Sequence, residues 1–375
     1  MKLWISALAL IALCASPVLA QNIWRVPEDY PTIKDAHSAA LPGDTILIGP
    51  GTYCGATIGK QLTIVGEGQP TITATSCGAQ TVGLWLTPAA TGTVIQHINF
   101  SALVTGIYAM FANDVTIQHN SFSGLTLGIG AMAANDVTVE HNTMELAGPG
   151  AAGIDSRGGG SDWIVSHNAI NIEASNNGRG IQNWLGNGWT LSHNKLTGTG
   201  LTLGIWLNRP LFYLPAGRAV NNTAKFNYID GAKDGVGIKV TTQYGAVVRD
   251  NSIFMPSSSD NPPGVCGAWG IEIHDSRVYN AGQPVLGSVY SLISNNDTRG
   301  TAVGVIFRED RLGGIENSVG NVLHGNFGTY AIHQPDSPHD DPCSGGEITG
   351  EIKNRAASSL IACGDDGICR GLPLP

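Results

Sequence analysis

Apolar positions in this chain recur in short, evenly spaced bursts. Residues 93–110 (TVIQHINFSALVTGIYAM) align with 115–132 (VTIQHNSFSGLTLGIGAM) at an offset of 22, matching Ile95/Ile117, His97/His119, Phe100/Phe122, Gly106/Gly128 and Ile107/Ile129. The next unit keeps the offset, bringing His119-Asn120 onto His141-Asn142. It then lengthens to His167-Asn168 and His193-Asn194, with weaker copies at Phe226-Asn227, Asp250-Asn251, Asn295-Asn296 and Gly320-Asn321. Two strand signals fill each unit. One is V-x-I-x-x-N, as in Val115 to Asn120. The other is Gly-Ile-x-φ-x, at Gly106, Gly128, Gly153, Gly180, Gly204, Gly237, Gly270 and Gly304, with Ala331-Ile332 as a last variant. Period-two alternation turns each Ile inward and the next residue outward. A unit of this length cannot bury its apolar face alone, so units must stack as a solenoid. The recurrent Asn should form a ladder along the turns, a structural role. Residues 31–40 predict a short helix and Thr45 to Ile48 a strand, so the helix would cover the open end of the stack.

Composition agrees. Fifty of 375 residues are Gly and only 13% are charged, which fits many turns and little helix surface. The net charge of −9 and the lack of a basic stripe disfavour nucleic acid as a partner. Residues 1–20 read as a signal peptide, with Lys2 before an apolar run and Val18-Leu19-Ala20 before a cut. A lipoprotein cut before Cys14 is the poorer reading, because Leu13 is bulky. An exported protein is therefore expected, secreted or periplasmic, monomeric and without a membrane span. Six Cys remain after the cut; Cys54 with Cys77, and a pairing among Cys343, Cys363 and Cys369, are the expected disulfides. No C-x-x-C pair supports zinc. The divisions expected are 1–20 signal, 21–340 solenoid and 341–375 Cys-containing tail.

The opening segment, followed by Lys60-Gln61-Leu62-Thr63-Ile64-Val65-Gly66, resembles the start of right-handed parallel β-helix proteins of the pectin-lyase-like superfamily. The repeats resemble the generic parallel β-helix repeat found also in NosD-like proteins. The resemblance implies an all-β, single-stranded right-handed parallel β-helix with an N-terminal capping helix. It chooses no activity, since that superfamily holds lyases, hydrolases, epimerases, tailspikes and proteins without catalysis. Gly237-Ile238-Lys239 resembles a strand motif of polygalacturonases, but their preceding acidic and histidine motifs are missing. Gly153-Ile154-Asp155 and Pro338-His339-Asp340 resemble separated fragments of mannuronan epimerase motifs.

Candidate chemistry follows from the outward positions of the Gly-Ile strands. Two residues after Gly stand Tyr108, Gly130, Asp155, Gln182, Trp206, Lys239, Glu272, Ile306 and His333. Four after it stand Met110, Met132, Arg157, Trp184, Asn208, Thr241, His274, Arg308 and Pro335. Charge is scarce elsewhere, so these columns read as a glycan groove walled by Trp184 and Trp206. Asp155, Arg157, Gln182, Trp184, Trp206, Asn208 and His333 are the expected substrate contacts. Segments 209–221, 256–268 and 276–289 are insertions suited to binding walls.

Hydrolysis needs two carboxylates roughly 5–9.5 Å apart. Asp155 and Glu272 lie four rungs apart, about 19 Å at ~4.8 Å per rung, and Asp310 lies ~13 Å from Glu272 by strand rise, so only loop carboxylates such as Asp234 or Asp275 could rescue it. β-Elimination or C5 epimerisation of a uronate needs a cation on the substrate carboxylate and a base for the C5 proton. Lys239, Glu272, His274 and Arg308 supply those types: Lys239 or His274 as base or acid, Arg308 as neutraliser, Glu272 tuning Lys239. No cofactor is demanded; Ca²⁺ is the one candidate, held by Glu272 with Asn208 or Asp275. The sequence thus points to a lyase or epimerase on acidic polysaccharide. The alternatives are a glycoside hydrolase, and a non-catalytic module binding glycan or a metal-maturation partner. The column His97, His119, His141, His167, His193 reads as stacked turn residues, with metal ligation as the rival reading.

Overall fold

A computed structural model describes residues 21–78, 80–173, 176–209, 218–257, 268–274, 287–301, 303–308 and 320–333, and the strand segments 351–356, 359–363 and 369–371. The expected signal peptide, Cys266, Cys343, Asp275, Asp310 and most of the three expected insertions lie outside the described residues. Among the described residues the strands form three long sheets of 15, 11 and 9 strands, here the back, front and side sheets, beside one two-stranded sheet. Each turn of chain adds one strand to each long sheet, so sequence neighbours in a sheet are one rung apart. The result is the expected right-handed parallel β-helix. Pairing is parallel through Tyr330–His333; the strands Glu351–Ala356, Ser359–Cys363 and Cys369–Gly371 then extend the back sheet antiparallel. Cys54 and Cys77 form the expected disulfide, and Cys363 lies opposite Cys369 in register.

The core is a set of inward columns. Ile107, Ile129, Ile154, Ile181, Ile205, Ile238, Ile271 and Val305 stack behind the front sheet, and all are fully buried or within 1% of it. Phe100 and Phe122 stack at 4.9 Å behind the side sheet. Full burial of such side chains is worth about 1.5–3 kcal/mol each. The Gly before each Ile is required by close approach: a Cβ on Gly153 would fall 2.6 Å from the Gly180 carbonyl and 2.8 Å from Ile170. Trp163 and Trp189 stack at 4.5 Å inside the core, their indole N–H groups donating to the Ala134 and Gly160 carbonyls.

Helix Ile33–Ala39 caps the stack, with Ile33 and Ala36 facing the core. The Thr32 hydroxyl accepts from the Asp35 N–H at the helix start. Lys60 Nζ donates to the carbonyls of His37 and Ala40 at its end. Buried Asp44 fixes the chain start by accepting from Asn22 N, Trp24 Nε1 and Leu41 N. Burial raises its carboxyl, but these hydrogen bonds outweigh that and hold it below the ordinary carboxylate value.

The tight turn between back and side sheets carries the Asn ladder. Asn142, Asn168, Asn194, Asn227, Asn251, Asn296 and Asn326 each accept, through Oδ1, from the backbone and side-chain N–H groups of the ladder Asn before them. The last member is Asn326, which corrects the expectation at Asn321. Both follow a Gly of positive φ, so the Gly-Asn signal is degenerate; Asn321 instead bonds Ser291 N, one turn position earlier in the rung.

Candidate functional site

Register places the outward residues of the front sheet in two columns. In one, Trp85, Tyr108, Gly130, Asp155, Gln182, Trp206, Lys239, Glu272 and Ile306 are successive Cα partners. In the other, Trp184, Asn208, Thr241, His274, Arg308 and His333 are. His333 therefore pairs with Arg308 and not with Ile306. A two-residue slip keeps the in–out alternation, so the periodicity could not distinguish the two registers. Trp85 is a column member that the Gly-Ile signal does not mark. Gly83-Leu84 is the same signal with Leu for Ile, and Trp85 packs on Tyr108 with centroids 5.0 Å apart.

Outward does not mean exposed. Asp155, Gln182, Asn208, Glu272 and His274 are all buried. Lys239 Nζ lies 3.1 Å from both carboxylate oxygens of the fully buried Glu272, one strand further on. His274 shares the Glu272 strand, its Nε2 4.0 Å from Oε1. Lys239 also lies 5.8 Å from the Trp206 ring centroid, a cation–π distance. The Trp206 indole N–H donates to Thr241 Oγ1, and Trp184 meets Trp206 edge-on at 5.9 Å. Lys239, Glu272, His274, Trp206 and Trp184 thus form one cluster. Arg308 and His333 lie one and two strands beyond His274 by register; their side chains are outside the described residues.

Asp155 and Arg157 form a second cluster, four strand steps from Glu272. Asp155 Oδ2 accepts from Arg157 Nε at 3.1 Å and Nη2 at 2.9 Å. Gln182 accepts from Arg179 Nη1 at 2.8 Å. Asp155 Oδ1, Gln182 Nε2 and Trp184 Nε1 are buried with no hydrogen-bond partner among the described residues. Of the two expected Ca²⁺ partners of Glu272, Asn208 stands two strands away in the other column and Asp275 lies outside the described residues; both Glu272 oxygens face the Lys239 ammonium. Asp234, the one described rescue carboxylate for hydrolysis, lies exposed on a turn.

His97, His119, His141, His167 and His193 stack at 4.8–5.3 Å with interplanar angles of 2–16°. All five have φ between 55 and 60°, a left-handed turn position in which His is enriched. Imidazole lone pairs lie in the ring plane, so parallel rings do not aim them at a shared ion. Ring stacking and turn geometry account for the column. No helix among the described residues is long and apolar enough to cross a membrane.

Residues 38–210 match the family described as periplasmic copper-binding protein (NosD). No curated protein matches the chain. Among solved structures, a PL6 alginate lyase in complex with a trisaccharide is similar at 14% identity, TM-score 0.49, over 89% of this chain and 77% of that one. A surface adhesin of Streptococcus pneumoniae is similar at 11% identity, TM-score 0.44, over 94% and 98%. DFA-IIIase from Arthrobacter chlorophenolicus A6, without its lid, is similar at 13% identity, TM-score 0.48, over 85% and 100%. By its repeats, its three stacked sheets and its family match, the chain is a right-handed parallel β-helix protein.

Proposed function

We propose that this is an exported carbohydrate-active protein whose front face binds an acidic polysaccharide and acts on it as a lyase or C5-epimerase. The observation that carries the reading is the Lys239–Glu272–His274 cluster beside Trp206 and Trp184. Glu272 positions the Lys239 ammonium, which suits it to neutralise a uronate carboxylate and so acidify C5. This moves the base role to His274. His274 takes the C5 proton; the electron pair then forms the C4–C5 double bond while the C4–O4 bond breaks and the leaving oxygen takes the proton from the His274 imidazolium. Return of a proton to the opposite face of C5, with the C4–O4 bond left intact, gives epimerisation instead. Arg308, one strand beyond His274, adds a second cation. The partnerless atoms of Asp155, Gln182 and Trp184 suit sugar hydroxyls at the upstream end, since leaving each unpaired costs about 1–3 kcal/mol. A hydrolytic pair is disfavoured by the four strand steps between Asp155 and Glu272. The test is incubation with uronans, following unsaturated product by absorbance and C5 inversion by NMR. His274→Gln should lower either rate by about 10²-fold or more; turnover unchanged by that substitution refutes the assignment.

A second reading is favoured by the NosD match, which ends before Lys239. In it the protein is a non-catalytic module that binds a glycan or a metal-maturation partner. Saturable glycan binding without turnover on any uronan selects this reading.

A further inference from the structure

On the turn and side-sheet surface away from the front groove, three columns change over two neighbouring rungs. At the turn, five stacked His residues give way to Phe226. On the side sheet, Asn99, Ser121, Thr143 and Ala169 are followed by Lys195 and then Tyr228. Two residues along, Ser101, Ser123, Glu145, Asn171 and Thr197 lead to Asp230. Packing does not require this change, because the inward residue of that rung is Ile229, which continues the core as Leu196 and Ile170 do.

The changed residues line an open surface depression of about 560 Å³, wide enough for one small ligand to lie on it. Phe226 is held rigidly, with His193 stacked at 5.1 Å on one face and the Arg249 guanidinium 5.0 Å away on the other. Tyr228 is 43% exposed, and its partner on the next strand is Ser252, too short to cover a phenol ring. Burial first, and Asp230 second, raise the Tyr228 hydroxyl above its ordinary value. It therefore stays a donor to Asp230 Oδ2, at 3.4 Å. Lys195 and His193 line one side of the depression, and Asp230 and Thr197 the other. An open aromatic face takes the C–H face of a ring, the Lys195 ammonium takes an anionic group, and Asp230 and Thr197 take hydroxyls.

We propose that this corner is a second ligand site, for a single pyranose ring bearing a carboxylate. It is independent of the front groove. The test is titration of the full chain with oligogalacturonate and with a neutral galactose oligosaccharide of equal length, read by NMR and calorimetry. Tyr228→Ala should weaken both ligands about tenfold. Lys195→Ala should weaken the acidic ligand about fivefold and leave the neutral one unchanged. Both residues lie at the surface, and an unchanged circular dichroism spectrum confirms the fold. The His274→Gln variant should bind at this corner as the parent does, which separates this site from the catalytic reading. Binding that neither corner substitution alters, or no binding of either probe by the parent chain, overturns the proposal.

Discussion

The Asn turn and the front face are built from the same rungs and obey opposite rules. Along the turn, one residue type recurs and its hydrogen bonds repeat within 2.8–3.2 Å. Along the front column no two neighbours are alike from Tyr108 to Glu272. A repetitive column has a repetitive task, which is to satisfy buried polar groups at each turn. A varied column is under a different demand at each rung, and in a stacked fold the packing alone would not create it. The contrast separates residues that hold the solenoid from those we propose to meet a ligand.

The sharpest way to break the contrast is at Lys239. Lys239→Met removes the ammonium that faces both oxygens of the buried Glu272 carboxylate and should cost about 3–5 kcal/mol in denaturant melts. Adding Glu272→Leu should return much of that loss while leaving the protein inactive, so stability and activity part at this site. In the turn they should not part. Asn168→Ala removes donors to the Val139 and Ser166 carbonyls and the acceptor of Asn142 N, and should cost about 3 kcal/mol. Activity per folded molecule should stay unchanged. His141→Ala interrupts an exposed stack on both sides and should cost under about 1.5 kcal/mol. A larger loss would mean that the His column holds the fold as the Asn ladder does.

The smallest effect concerns the capping helix. Burial, helped by the Lys60 ammonium, pushes His37 below its ordinary value, and its Nε2 accepts from Gly59 N. The unfolded chain then binds this proton more readily than the folded one. The stability involved is complete above the ordinary imidazole value of about 6.5 and is lost as pH falls from there toward the folded-state value. Thermal melts of the parent should show a drop in Tm across that window that His37→Gln lacks.

How much of this was legible in the sequence follows the same division. The rungs, the inward Ile columns, the Asn ladder, the cap and the Cys54–Cys77 bridge could be read because each depends on short-range pattern. The last rungs were misread in two places, at Asn321 and at His333. In both, an equally good local signal stood a few residues away, and only stacking on the previous rung distinguishes them. The front columns were readable as positions, but their burial was not: alternation reports direction, while cover comes from the neighbours a side chain meets. The contact of Lys239 with the buried Glu272 was therefore not readable from the pattern either.

The Asn ladder also sets what the chain can become. Successive members are separated by 22, 26, 26, 33, 24, 45 and 30 residues, yet the bond between them hardly changes. The turn measures rungs and ignores the chain length between them. Segments of twenty residues can enter or leave elsewhere on a rung without disturbing its neighbours, so the groove can be rebuilt one loop at a time while the spine is inherited unchanged.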